Sequence, residues 1–273
     1  MVNSPYYSNH IYFMRRDYLI AALLVLLVAG LFIYSSAQND MRKNSDILSG
    51  EGMPIKTGEV DYFNNVRGFY AEPTEEGEYP GVVMVHEWWG LNQNIKDMAS
   101  ELAKQGYRVL AVDLFGKVAA TPEEARVQVS SLNQEQSINN MKAAAAYLRE
   151  RGSDSIASLG WCFGGGQSLQ LALSGERLDG TVIYYGNLET DKSRLEKIDW
   201  PVLGIFGEID QSIPTTTVRQ FEMALNELGI KNAVYIYPGV GHAFANPSGQ
   251  NYAPDATKDA WAKTLAFLED NLK

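Results

Sequence analysis

The stretch "SIASLGWCFGGGQSLQLAL", residues 155–173, runs from an apolar segment through a glycine cluster into a second apolar segment, and holds the only cysteine among 273 residues, Cys162. Gly160-Trp161-Cys162-Phe163-Gly164 has the spacing of the G-x-S-x-G nucleophile elbow with sulfur in the serine position. An elbow of this kind is a sharp, strained turn between a strand and a helix. Its neighbours must lack a Cβ for the two elements to approach, and Gly164, Gly165 and Gly166 supply that. The free N–H groups and dipole of a helix N-terminus favour a thiolate at such a position. A lone cysteine is commonly a buried, inert residue, but the elbow turns the reading of Cys162 toward a nucleophile.

Outward from this stretch, apolar runs alternate with helix-length amphipathic segments. "GVVMVHE", "YRVLAVD", "SIASLGW", "GTVIYYG", "PVLGIFG" and "AVYIYPG" are β-rich and apolar throughout, as expected of parallel strands buried on both faces. A hairpin or strand pair is predicted near 59–70. Helices are predicted from Asn92, a candidate N-cap, to Gly106, and over 122–131, 134–149, 164–174, 214–228 and 255–272. Alternating strands and helices imply an α/β fold: a doubly wound, mostly parallel sheet with helices on both faces. In such sheets function gathers in the loops at the carboxyl ends of the strands.

Composition narrows the function. With 45% hydrophobic residues the chain can bury a large core. Its 23 basic against 33 acidic residues give a net charge of −10, which argues against a nucleic-acid partner. One cysteine excludes an internal disulfide. Three histidines, His10, His86 and His242, leave little for a multi-histidine metal site, so no metal or cofactor is expected.

The N-terminus reads separately. Residues 1–17 form a tail, and 18–37 carry no charge and would span about 30 Å as a helix, enough to cross a bilayer. Tyr18 and Tyr34 suit the interfaces, and Arg15 and Arg16 favour an inside N-terminus with the following domain extracytoplasmic; Arg42 and Lys43 weaken that orientation. Ser35, Ser36 and Ala37 offer the alternative of a cleaved signal segment and a secreted product. "RRDYL" also resembles a twin-arginine export signal. Residues 38–57 are polar and aperiodic and read as a linker, leaving 58–273 for the folded domain.

A nucleophile needs a base and an orienting acid. After "PVLGIFG" comes "EIDQSIP", with Asp210 as candidate acid and Glu208 as its rival. After "AVYIYPG" comes "VGHAF", with His242 as candidate base. Nucleophile, acid, histidine is the chain order of the α/β-hydrolase arrangement. His86 reads as a hydrogen-bonded structural histidine. In "HEWWG", Trp88 is a candidate backbone donor to an oxyanion hole, partnered by Phe163, and Glu87 could hold or receive the thiol proton. Ser158 and Ser168 lie outside the elbow.

Together "HEWWG", "GYRVLAVDLFG", "GWCFGGG", "GEIDQSIP" and "GHAFANP" resemble the signposts of the dienelactone hydrolase family, in order, over residues 58–273. The resemblance implies an α/β-hydrolase fold; Cys162, Asp210 and His242 as a triad; Glu87 as the residue controlling the thiol proton; and Trp88 and Phe163 as oxyanion donors. It implies a small lactone or ester as substrate, attacked to form an acyl-enzyme that water releases. Family members that open dienelactone grip its carboxylate with arginines, one of them four residues after the histidine. Here that position is Asn246, and Arg126, in the helical stretch before the elbow, is the nearest other candidate for substrate binding. The competing reading is a binding module that keeps the cleft without turnover.

Overall fold

Two asparagines make the first turn. Asn64 and Asn65 both adopt positive φ, 41° and 64°, a conformation asparagine tolerates better than most residues and that a two-residue hairpin turn requires. They join β1 (Ile55–Phe63) to β2 (Val66–Pro73) in the antiparallel hairpin expected near 59–70. In the computed structural model, which describes residues 52–273, β1 opens at Ile55, so the last three residues of the stretch read as a linker belong to the sheet. The apolar segment 18–37 and the readings attached to it lie outside the described residues. Among the described residues no helix is long and apolar enough to cross a membrane.

β2 pairs antiparallel with β4 (Arg108–Val112). From there the ladder is parallel through β3 (Gly81–Val85), β5 (Ile156–Trp161), β6 (Gly180–Tyr184), β7 (Val202–Gly207) and β8 (Asn232–Tyr237), in the order β1-β2-β4-β3-β5-β6-β7-β8. β3, β5, β6 and β7 are buried at every residue, which is why they read as unbroken apolar runs. β8 differs from that expectation. As an edge strand it pairs on one side only, and no residue of it is fully buried.

The helices are α1 (Gln93–Lys104), α2 (Pro122–Ser130), α3 (Gln134–Glu150), α4 (Phe163–Leu173), α5 (Lys192–Leu195), α6 (Thr215–Glu227) and α7 (Pro254–Leu272). Asn92 caps α1 by accepting the Ile95 N–H at 3.2 Å, and Gly106 beyond its end has φ +83°. α5 was not expected: a single turn capped by Asp191 is too short to show periodicity. Residues of α3, α4 and α6 share one apolar cluster with Val83, Val85, Leu110, Val112 and Ile183. Their alternate neighbours Val82, Met84, Val109, Ala111 and Val182 are equally buried on the opposite face, where α1 and α7 pack against the sheet.

This winding positions the site. After β3 the chain pairs outward to β4, then returns to the other flank of β3 with β5. The loops leaving β3 and β5 therefore run in opposite directions, and a crevice opens between them at the switch point.

Candidate active site

Cys162 follows β5 directly and occupies the N-cap position of α4, with φ +53° and ψ −118°. A residue with a Cβ is strained there, and such strain persists only where the surroundings enforce it. Close packing does so. A Cβ on Gly160 would overlap the carbonyl of Gly164, and one on Gly164 would overlap the carbonyls of Val85 and His86. Gly166 is less constrained than expected: its Cβ would meet Asn187 at 3.4 Å. Gly160, Gly164 and Gly165, whose own Cβ would lie 2.6 Å from the Tyr184 carbonyl, let the helix close on β5, β3 and β6.

Three loops meet at the thiol. His242, five residues beyond β8, places Nε2 3.0 Å from Cys162 Sγ and Nδ1 2.8 Å from Asp210 Oδ2. Asp210, in the loop after β7, is fixed in turn by the N–H groups of Ser212 (2.7 Å) and Ile213 (3.0 Å), which donate to Oδ1. Burial opposes its ionisation, but the His242 bond and these amides hold its carboxyl below the usual aspartate range. His242 is likewise disfavoured as a cation by burial, yet its bonds to Asp210 and Cys162 raise it to about 10. The rival acid Glu208 faces solvent and accepts the Gly239 N–H at 2.9 Å, so it ties down the loop that carries His242 without touching the imidazole.

Glu87, just past β3, is 3% exposed, and its Oε2 accepts the amide of Asn246. Burial pushes its carboxyl up to about 7, against the pull of the Asn246 bond and of His242. Asn246 is buried too, and its oxygen takes the Ser248 N–H at 2.9 Å, so both ends of its amide are engaged. Arg126 lies at the cavity wall, its guanidinium 5.8 Å above the Trp88 ring and 3.2 Å from Glu123. Among the described residues the backbone N–H groups of Trp88 and Phe163 donate no hydrogen bond, as expected of a free loop amide and of the first residue of a helix.

His86 is fully buried and neutral, its protonation opposed by burial. Nδ1 lies 2.7 Å from the carbonyl of Glu87, Nε2 accepts the Leu114 N–H at 3.1 Å, and the ring stacks on Phe163 at 6.0 Å. One side chain thus ties the loops after β3 and β4 to the residue after Cys162. Ser158 and Ser168 are buried and hydrogen-bonded to each other at 2.8 Å, away from the crevice.

The crevice is a predominantly apolar cavity of about 650 Å³, lined by Cys162, His242, Glu87, Trp88, Arg126 and Asn246 among others. Tyr185, Asn187 and Ser212 also line it and were not singled out in the sequence. Their signal was available in their place, just beyond the carboxyl ends of β6 and β7. Among the described residues no group of three or more histidine, cysteine or carboxylate side chains could hold a metal ion.

The family model for the dienelactone hydrolase family matches residues 66–272. A candidate carboxymethylenebutenolidase of Saccharolobus solfataricus is 32% identical over 247 residues, covering 74% of this chain and 93% of its own. The protein usf of Aquifex pyrophilus is 31% identical over 219 residues, covering 76% and 94%. Among solved structures, a candidate dienelactone hydrolase of Klebsiella pneumoniae superposes with a TM-score of 0.72 at 26% identity, over 79% of this chain and 98% of its own. With an eight-stranded α/β-hydrolase sheet and these relatives, the chain belongs to the dienelactone hydrolase family.

Proposed function

We propose that the protein hydrolyses a small, uncharged ester or lactone through Cys162, His242 and Asp210. The observation that carries this reading is the chain of contacts from Asp210 to His242 (2.8 Å) to Cys162 (3.0 Å) at the wall of an apolar cavity. Sγ attacks the carbonyl carbon with its proton held on His242 Nε2, and Asp210 steadies that imidazolium. The carbonyl oxygen, now an oxyanion, is met by the N–H groups of Trp88 and Phe163. His242 then returns its proton to the departing alcohol oxygen, leaving a thioester on Cys162. Water, deprotonated by His242, attacks that thioester, and the acid and the free thiol result. Glu87 adjusts the proton balance at the thiol from its buried position.

An uncharged substrate follows from the cations. The Asn246 amide is engaged by Glu87 and Ser248, and Arg126 is paired with Glu123 on an exposed helix. Relatives named as carboxymethylenebutenolidases favour a lactone among the esters.

Iodoacetamide labelling with peptide mass spectrometry, alongside turnover of p-nitrophenyl acetate, tests the chemistry. Labelling at Cys162 and loss of turnover in Cys162→Ala are expected. Binding of esters without turnover by the wild type would select the binding-module reading instead.

The apolar residues 18–37 are proposed to anchor this hydrolase to a membrane, with the catalytic domain extracytoplasmic. The full chain is then expected to sediment with membranes, whereas a chain beginning at Gly52, which keeps all of β1, stays in solution with full activity. Expression of the full chain that yields a product in solution with Gln38 as its first residue would establish cleavage.

A further inference from the structure

Tyr185 stands one residue beyond β6, between the loops that carry Cys162 and His242. Its backbone holds φ +35°, an unusual value for an aromatic residue, while its N–H donates to Ile205 O at 2.8 Å and keeps it in the sheet. The ring meets His242 edge-on, with centroids 5.3 Å apart at 63°, and Phe244 likewise at 5.5 Å. The side chain is closed to bulk water and forms part of the cavity wall, and its hydroxyl has no hydrogen-bond partner.

A buried hydroxyl without a partner is destabilising, and native proteins retain few of them. The Ala245 amide faces the oxygen outside hydrogen-bond geometry, and would in any case leave the O–H hydrogen without an acceptor. Glu87 and Cys162 are near enough to act on the hydroxyl electrostatically, and they oppose its ionisation, as burial does. Tyr185 is therefore a donor with its hydrogen unclaimed.

We infer that Tyr185 is a catalytic residue of the acylation step, its O–H donating a hydrogen bond to the alcohol-side oxygen of the substrate as the carbon–oxygen bond breaks. The inference rests on the reading of Cys162 as nucleophile. In that reading the carbonyl oxygen turns toward Trp88 and Phe163, while the departing oxygen must come within reach of His242 Nε2 to receive its proton. Tyr185 packs on His242, the side on which the departing oxygen is protonated. It transfers no proton of its own. It steadies the negative charge that gathers on that oxygen until the imidazolium protonates it.

This role makes the value of the hydroxyl depend on the leaving group. An alkoxide departs poorly and needs the donor, whereas p-nitrophenolate leaves unaided. The test compares Tyr185→Phe with wild type on a methyl ester, a γ-lactone and the p-nitrophenyl ester of the same acyl group. The readout is kcat/KM, which reports acylation. A fall of about tenfold or more is expected for the methyl ester and lactone, with a change under about threefold for the p-nitrophenyl ester. The melting temperature should be unchanged or higher, because the substitution removes an unpartnered buried hydroxyl.

Equal loss on all three substrates, or no loss on any, overturns the inference. So does a loss that appears only as a shift in pH profile and vanishes in a Glu87→Gln background, since the hydroxyl would then serve Glu87 and not the substrate. Cys162→Ala separates this from the wider reading: turnover that survives it sinks the nucleophile itself, whatever Tyr185→Phe does.

Discussion

Asn246 donates its amide to the buried carboxyl of Glu87 and accepts the Ser248 N–H on its oxygen. Glu87 thus has a neutral partner, not a cationic one, and nothing in that bond compensates a full negative charge in a site 3% exposed. Its carboxyl stands near 7, on the edge of ionising under ordinary conditions.

A stability effect follows from the sign of that shift. The folded-state value, about 7, lies above the ordinary glutamate value of 4.5, so the native state holds a proton that the unfolded chain gives up between those values. Stability therefore falls as pH rises through this window, and above it the penalty is about 3 kcal/mol at ~1.4 kcal/mol per unit. Glu87→Gln should raise the melting temperature at pH 8 and leave it nearly unchanged at pH 4. Equal shifts at both values would refute the assignment.

The same ionisation should shape activity. If Glu87 accepts or steers the thiol proton, kcat/KM rises with pH through about 7 in the wild type, and that limb disappears in Glu87→Gln. An identical profile in the variant would remove Glu87 from the chemistry.

On the proposed reading, charge selectivity is set at the Asn246 end of the same contact. A guanidinium can bind a carboxylate through two charge-assisted bonds, and an amide already engaged by Glu87 cannot. A neutral lactone should be turned over with higher kcat/KM than its carboxylated partner. Asn246→Arg should narrow the gap by about tenfold to hundredfold, the equivalent of a charged hydrogen bond at ~1.5–3 kcal/mol. A tenfold wild-type preference for the anion would show that Arg126 or another cation grips it.

Two acids near β7 have different duties. Asp210→Asn should cut kcat by several orders of magnitude with little effect on melting temperature, because the imidazole loses its orienting acceptor. Glu208→Gln keeps an oxygen for the Gly239 N–H and should change kcat less than about threefold. The reverse ranking would transfer the acid role to Glu208.

At the elbow, Gly160→Ala forces a Cβ onto the Gly164 carbonyl and should abolish soluble, folded protein. Gly166→Ala, inside α4 and meeting Asn187 at 3.4 Å, should fold and gain up to about 1 kcal/mol from helix propensity. Equal damage from both would mean that the convergence of β5 and α4 does not depend on Gly160. Soluble yield reads out the first variant and urea titration the second.

What the sequence disclosed depended on whether the physics was local. β3, β5, β6 and β7 were legible because strands buried on both faces must be apolar at every position, and Cys162 because the elbow needs its glycines at fixed spacing. β8 was legible as a strand but not as an edge, since its place depends on what pairs beyond β7. Asp210 was legible as the acid from its place after β7, but what occupies its rival was not: the Gly239 amide, 31 residues from Glu208, claims that carboxylate. Asn246 was read against an absent arginine, whereas its contact with Glu87 bridges 159 residues. Tyr185 hid inside an apolar run whose register alone decides which tyrosine ends at the cavity.

His242 hangs from β8, an edge strand paired only with β7 and with no fully buried residue. Cys162 hangs from β5, packed between β3 and β6 in the middle of the sheet. Opening events begin where backbone bonds are least protected, so β8 should exchange its amide hydrogens sooner than β5, and the imidazole should drift from the thiol while the core still stands. Gentle warming would then silence the enzyme ahead of its melting, and cooling would restore it without refolding from the denatured chain.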